Sequence, residues 1–405
     1  MFAEHREDFV QHANGSLGRA QGTDFLPRRV FGEFVEAQVR AQIDAARARG
    51  QRFAIQADQA VGVHAAPPGG YQVELADTTR LTVDAVVLAT GALSPRPLKS
   101  VSNEALTSGR YELDPWRMAS RAEAPRRVLV IGTGLTAVDT LISASTRWPS
   151  AELVAVSRHG LMPFRHPPLP LPPYPSQPSL NASLLACQHV ASMLRLIRQA
   201  FTELPSVDWR AVVDGMRPVN AQLWQRFTLA QRRQFMRHLR WVWEASRHRT
   251  APASADRVEV LRECGRLQVH AARVLSVDAG EVLTVTVRSR ATQLLSTFEA
   301  DLVIQATGLD TAVAYAQDPL LAQLLRDELA TPDPLHLGLS GLPNGQLLDQ
   351  KGSAQPGLYA IGSLLRGSLW ECTAMPEIRT AAHRLAELLV RQLGHVDTEE
   401  VASSI

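Results

Sequence analysis

Two stretches of the chain share one pattern of apolar and polar positions: Asp84-Ala-Val-Val-Leu-Ala-Thr-Gly91 and Asp301-Leu-Val-Ile-Gln-Ala-Thr-Gly308. Each is an acidic residue, an apolar run of strand length without polar alternation, and Ala-Thr-Gly. That pattern predicts a buried strand ending in a tight turn. Each copy follows β-rich sequence with hairpin signals. Phe53 to Val63, Pro67-Pro-Gly-Gly70, Tyr71 to Leu75 and Leu81 to Val83 precede the first; Leu267 to Val277, Ala279-Gly280 and Val282 to Val287 precede the second. Between the copies, Pro125 to Ile131 reads as a strand and Gly132-Thr-Gly-Leu-Thr-Ala137 as a glycine turn. Val138 to Arg147 reads as a helix with apolar residues at 138, 141 and 142, and Glu152 to Val156 as a second strand, which completes a βαβ unit.

From Pro163 to Pro178 eight of sixteen residues are proline, so no helix or central strand can continue there. A stiff crossover is expected; a PxxP ligand for a partner domain is the competing reading. Helices are expected over Ser183 to Leu204 and Ala230 to Arg247. The second carries Phe235, Leu239, Val242 and Trp243 on one face and Arg233, Arg237, Arg240 and Arg247 on the other, a core stripe with a solvated face or else an anion-binding face. Gly357-Leu-Tyr-Ala-Ile-Gly362-Ser reads as a short strand and turn, followed by Trp370-Glu-Cys-Thr-Ala-Met-Pro-Glu-Ile-Arg379 and a helix to about Leu393. The polar last dozen residues are expected to fray.

At 405 residues the chain is long enough for two or three domains with cores of their own. A net charge of +2 excludes a global field for nucleic acid or an anionic membrane. The cationic charge is almost all arginine, with Lys99 and Lys351 the only lysines. Cys187, Cys264 and Cys372 lie far apart with no C-x-x-C, so a redox dithiol, a disulfide framework and a cysteine-rich metal site lack their residues. No metal is expected. The amino terminus is acidic without an apolar core, and no apolar run is long enough to span a membrane, so a cytoplasmic protein is expected.

Gly132-x-Gly134-x-x-Ala137 has the spacing that dinucleotide binding needs. The first glycine makes the tight turn, the second lets the backbone approach a pyrophosphate, and a small third residue packs helix on strand. Thr133 and Leu135 belong to the same turn, and the helix behind it would hold the pyrophosphate on its amino terminus. A structural glycine turn is the competing reading. At the end of the second strand stands Ser157-Arg158-His159, where an acid would select a ribose 2′-hydroxyl. A hydroxyl and a permanent guanidinium suit a 2′-phosphate, which favours NADPH over NADH, unless Arg158 merely points to solvent.

The order Ala-Thr-Gly, dinucleotide unit, Ala-Thr-Gly and Gly-Leu-Tyr-Ala-Ile-Gly resembles that of flavoproteins with two dinucleotide-binding domains. Phe25-Leu-Pro-Arg-Arg-Val-Phe-Gly32, Val128 to Asp139, Ser157 to Pro163, Trp243 to Arg249 and Leu364 to Arg379 carry the resemblance, which spans nearly the whole chain. The chain is similar to bacterial FAD/NAD(P)-binding proteins related to flavin-dependent N-hydroxylating and Baeyer–Villiger-type monooxygenases. The resemblance implies that the Gly132 unit is the nicotinamide site. Thr90, Gly91, Thr307 and Gly308 would line the flavin side of the domain junction, with Gly362, Ser363, Trp370 and Glu371 also binding cofactor. Ser363 stands where many such proteins have an acid on the ribityl chain. The helix near Thr373 would point its positive end at the flavin, and Cys372 is expected to be a packed small residue.

The fold expected is therefore α/β: two Rossmann-like dinucleotide-binding domains in three layers, with small β-meanders and a helical insertion. Residues 1–122 and 309–395 would form the FAD domain, truncated at its first strand because no G-x-G-x-x-G precedes it. Residues 123–308 would form the NAD(P) domain with an insertion over 163–255, and 396–405 a flexible tail. The function expected is an NADPH-dependent FAD oxidoreductase, monooxygenase-like, on a small-molecule substrate, without a named catalytic acid or base. The competing readings are a flavin-free NADP(H)-binding remnant and a simple NADPH:acceptor reductase.

Overall fold

The structure, a computed structural model, describes residues 6–18, 20–21, 24–203 and 208–394. The expected flexible tail lies outside them. The chain forms two compact units, Met1–Gly91 with Thr311–Ile405, and Ala92–Asp310. The first unit opens with α1 (Arg6–Leu17) and α2 (Arg28–Ala48), packed through Phe9, Ala13, Val30 and Phe34, with Phe9 edge-on to Phe34. Asn14-Gly-Ser-Leu-Gly18 closes α1: Gly18 takes φ 76° and its N–H donates to the Asn14 carbonyl at 2.8 Å. An antiparallel meander follows, of β1 (Ala60–Ala65), β2 (Tyr71–Leu75) and β3 (Arg80–Val83), then β4 (Val86–Leu88). Residues 53–59, expected as strand, are irregular.

The second unit holds α3 (Asn103–Thr107), β5 (Tyr111–Glu112), β6 (Arg127–Ile131), α4 (Leu135–Arg147) and β7 (Glu152–Ser157). Among the described residues seven α-helices follow: α5 (Gln177–Ala186), α6 (Val190–Glu203), α7 (Trp209–Gly215), α8 (Asn220–Arg226), α9 (Leu229–His238), α10 (Arg240–Arg247) and α11 (Pro252–Glu263). The unit ends with β8 (Leu267–Ala279), β9 (Leu283–Ser289), β10 (Leu295–Ala300) and β11 (Leu302–Gln305). The sheet order is β10-β9-β8-β7-β6-β11-β5. Strands β5, β11, β6, β7 and β8 run parallel, and β8 is long enough to pair with β7 through Leu267–Ala271 and antiparallel with β9 beyond. Chain order reverses between β6 and β11, which makes their carboxyl ends the switch point where such sheets bind ligands. The core on the α4 side is Val128, Val130, Leu141, Leu153, Leu302 and Ile304 with their neighbours.

The chain then returns to the first unit with α12 (Pro319–Arg326), β12 (Gln346–Leu348), β13 (Ala354–Ala360), α13 (Arg366–Leu369) and α14 (Met375–Leu393). The buried Gln323 amide of α12 exchanges two hydrogen bonds with the Val63 backbone of β1, at 2.8 and 2.9 Å. Strand β13 pairs antiparallel with β12 and parallel with β4.

Three further expectations are corrected. The first Ala-Thr-Gly strand is not buried as the second is: every residue of β11 is buried, but β4 is three residues long with Val87 37% exposed, because it stands at the edge of its sheet and pairs only with β13 among the described residues. The chain leaves the first unit at Gly91 and returns to it at Thr311, and β5 joins the sheet of the second unit beside β11. The helix expected over Ser183 to Leu204 is two, α5 and α6, since Cys187 takes an extended φ of −70° and ψ of 140°; α5 also begins inside the proline run, where Pro178 occupies the tolerated first turn. The helix expected over Ala230 to Arg247 breaks at Leu239, with φ −119°, and the Trp241 indole N–H takes up the His238 carbonyl at 2.9 Å.

Candidate functional site

The glycine turn leaves β6 at the switch point. Gly132 has φ 132°, and a β-carbon there would stand 2.2 Å from the Ala306 carbonyl oxygen, so only glycine permits the contact between this turn and the second Ala-Thr-Gly turn. Gly134 is the N-cap of α4, makes no side-chain cap, and has no atom within 4 Å of where a β-carbon would be. The first N–H groups of α4 thus have no side-chain cap and carry the helix dipole behind them. Ala137 is fully buried in the core beneath, and Leu135 opens the helix.

Ser157 is committed to the fold. The Gly160 N–H donates to Ser157 Oγ at 3.0 Å, Ser157 Oγ lies 2.8 Å from Thr133 Oγ1, and Thr133 Oγ1 donates to the Leu161 carbonyl at 2.6 Å. Each hydroxyl has one proton, so with Leu161 as the terminal acceptor, Ser157 donates to Thr133. Thr133 is 6% exposed, its side chain turned inward, which leaves only its backbone for a ligand. Arg158 is exposed. His159 stacks on Trp241 with centroids 4.2 Å apart and planes 7° off parallel. Burial first, then the charges of Arg290 and Arg158, hold the His159 imidazole below its ordinary pKa. Arg290, a cation the sequence reading missed, also reaches the Arg158 carbonyl at 3.5 Å.

Behind the second Ala-Thr-Gly turn the sequence reading missed Gln305. Its buried amide uses all four of its positions: Oε1 accepts from the Tyr111 hydroxyl at 2.6 Å and Leu98 N–H at 3.2 Å, while Nε2 donates to the Arg96 carbonyl at 2.8 Å and Thr307 Oγ1 at 3.2 Å. Arg96 also pairs with Asp310, Nη2 to Oδ1 at 3.0 Å. The signal available was a lone polar residue in an apolar run, where the first copy has Leu88. Thr307 and Gly308 are exposed beyond it.

The remaining expected residues lie in the first unit. Thr90 and Gly91 are exposed behind β4, and the Ser363 hydroxyl donates to the Gly91 carbonyl, which joins the Gly91 and Gly362 turns. Both glycines have positive φ, and a β-carbon on either would meet nothing within 4 Å. Trp370 is 6% exposed under the Arg366 guanidinium, 4.9 Å from its ring. It sits at φ 62° and ψ −68° in a three-residue turn closed by the Glu371 N–H on the Leu369 carbonyl at 2.8 Å, a strained conformation of the kind that collects at functional sites. Cys372 is buried and its thiol is pushed up to about 12 by burial, as a packing residue requires. Helix α14 follows, with no side-chain cap at Ala374.

A depression of about 810 Å³ near the amino ends of β6 and β7 is lined by Arg110, Arg121, Arg127, Glu152 and Asp301, away from the glycine turn and of mixed charge. Among the described residues there is no cluster of three or more metal-ligating side chains, and no helix is long and apolar enough to cross a membrane.

A glycine turn at the switch point of a parallel sheet has the geometry of a dinucleotide-binding fold. Residues 1–93 match the model of a FAD-NAD(P)-binding family. No curated protein matches the chain in sequence. Among solved structures the fold is similar to that of ornithine N-hydroxylase from Kutzneria sp. 744, described with reduced FAD, NADP+ and L-ornithine, at 16% identity and a TM-score of 0.59 over 96% of this chain and 81% of that one. It is similar to L-lysine 6-monooxygenase from Pseudomonas syringae at 15% identity and a TM-score of 0.59, over 96% and 80%. It is also similar to ornithine hydroxylase from Pseudomonas aeruginosa at 17% identity and a TM-score of 0.53, again over 96% and 80%.

Proposed function

We propose that the protein is an NADPH-dependent FAD oxidoreductase with monooxygenase-like chemistry on a small molecule. The observation that carries this reading is the uncapped amino terminus of α4 above Gly134, open at the switch point and backed by the close contact of Gly132 with Ala306. The residues present fit a nicotinamide dinucleotide. Gly132, Gly134 and the N–H groups from Leu135 onward would hold its pyrophosphate, Arg158 with Arg290 beside it would take the 2′-phosphate, and Thr307 and Gly308 would flank the turn. In the first unit, Thr90, Gly91, Gly362 and Ser363, with the uncapped end of α14 and the Trp370-Glu371 turn, suit the ring and ribityl parts of FAD. A bound flavin supplies hydride acceptance and oxygen chemistry that no amino acid offers. The chain's own groups bind and orient: backbone N–H groups meet phosphate, guanidinium meets 2′-phosphate, and the α14 dipole favours negative charge at its amino end.

A second reading is a flavin-free NADP(H)-binding protein, which the Gly132 turn and the uncapped α4 carry by themselves. Purified protein supplied with FAD, separated from free flavin and assayed for NADPH oxidation with candidate amines and ketones tests both. Flavin absorbance with an oxygenated product supports the oxidoreductase. NADPH binding without retained flavin supports the second reading, and NADPH oxidation without an oxygenated product reduces the first to a reductase.

A further inference from the structure

The helical insertion of the second unit contains a buried guanidinium that its neighbours satisfy only in part. Arg249 is 6% exposed, and its Nη2 donates to both oxygens of Asp214, at 2.5 and 2.6 Å. Its Nε and Nη1 atoms are buried and have no hydrogen-bond partner among the described residues, which leaves three of five N–H bonds without an acceptor there. The next residue, Thr250, is 4% exposed, and its Oγ1 also lacks a partner among the described residues. Leaving such groups unmet is costly, most of all for a charged one.

The backbone around Arg249 is fixed. The Thr250 N–H donates to the Phe164 carbonyl at 2.8 Å and the His166 N–H to the Thr250 carbonyl at 2.9 Å, so this segment lies against the chain just after the end of β7. That is the same carboxyl side of the sheet as the glycine turn, since Thr133 of the turn donates to Leu161 in the same connection. Two further arginines stand nearby, each with its own carboxylate. Arg165 is paired with Asp256 and Arg210 with Asp208, each carboxylate answering one arginine. Burial, then the charge of Arg249, with Arg210 and Arg247 adding to it and Asp214 opposing, keeps His166 below its ordinary pKa. Asp214, the one partner of Arg249 among the described residues, is 46% exposed on its side chain, so the guanidinium lies one side chain beneath the surface.

We propose that Arg249 is the centre of an oxyanion-binding site, which takes a carboxylate or phosphate group of a small molecule on the N–H bonds that Asp214 leaves free. A neutral water fills one N–H direction; three on one permanently charged guanidinium select an anion. The site is distinct from the pyrophosphate turn and from Arg158, and it does not rest on the oxidoreductase reading, because anion binding is read without any cofactor.

The test is calorimetric titration of the full chain with sodium acetate and with inorganic phosphate at low ionic strength, repeated on Arg249→Lys and Asp214→Asn. Lysine keeps the charge for Asp214 but removes the fan of donors; asparagine removes the competing carboxylate and leaves the donors. The expected result is a saturable event that weakens at least tenfold in Arg249→Lys and tightens several-fold in Asp214→Asn. Near-ultraviolet circular dichroism checks that each variant is folded, and if Arg249→Lys is not, Asp214→Asn alone decides. Equal affinity in wild type and Arg249→Lys, no tightening in Asp214→Asn, or no binding to wild type overturns the proposal. NADPH titrated into Arg249→Lys separates the two sources: a parallel loss assigns the site to a dinucleotide phosphate, and unchanged NADPH affinity assigns it to a carboxylate on the substrate.

Discussion

A β-carbon on Gly132 would stand 2.2 Å from a backbone oxygen, whereas one on Gly134 meets no atom within 4 Å. The two glycines are therefore expected to fail differently. Gly132→Ala should lose about 2–4 kcal/mol of stability in urea unfolding, since backbone rather than a flexible side chain must move. Gly134→Val should melt close to wild type yet lose NADPH binding, because its side chain enters the space above the helix terminus; undiminished affinity would move the cofactor elsewhere. Arg158→Ala should weaken NADPH by about 1.5–3 kcal/mol and leave NADH nearly unchanged, and equal losses in paired titrations would reject the 2′-phosphate assignment. The Gly160, Ser157, Thr133 and Leu161 chain gives Ser157→Ala another outcome, with both dinucleotides weakened alike, since its hydroxyl ties the strand end to the glycine turn.

Strand β11 and the loop beside β5 depend on one amide. Gln305→Leu would strand the buried Tyr111 hydroxyl, whose ionisation burial already opposes, and leave the Leu98 N–H without its acceptor. A loss of about 2–4 kcal/mol is expected in chemical denaturation, and a loss under about 1 kcal/mol would show that the clasp is dispensable. Strands with a pure apolar run or clean hairpin signals were legible in the sequence: β2 falls on its expected residues, and β6, β7 and β11 within two of theirs. The glycine turn was legible because backbone geometry demands glycine there. What the sequence hid was set by partners distant in the chain. Val86 to Leu88 reads like a buried strand and stands at an edge, and Gln305, Arg290 and Arg249 acquire meaning only from residues that folding brings to them. The long helices were overread because apolar periodicity continues through Cys187 and Leu239, where the backbone does not.

Across the whole molecule, each unit has its own apolar core, and the proposed cofactors divide between them. Calorimetry is expected to resolve two transitions, with NADPH at about 100 times its Kd stabilising only the unit Ala92–Asp310, by about 2.7 kcal/mol. A single transition that NADPH shifts as a whole would contradict this division. Acid should destabilise the second unit first. His159, His166 and His270 are held below their ordinary pKa by burial, so the unfolded chain binds protons that the folded one does not, and stability falls as pH drops below about 6.5. The first unit is assembled from two ends of the chain: β4 hydrogen-bonds to β13, and Val63 to Gln323, across the whole of the second. During synthesis at about 5–20 residues per second, roughly 270 residues separate Gly91 from the end of β13, so the residues up to Gly91 wait about 13–54 s before both the helix and the strand that cover them exist. The ribosome's pace, and whatever shelters a nascent chain in that interval, thereby become part of how this protein reaches its fold.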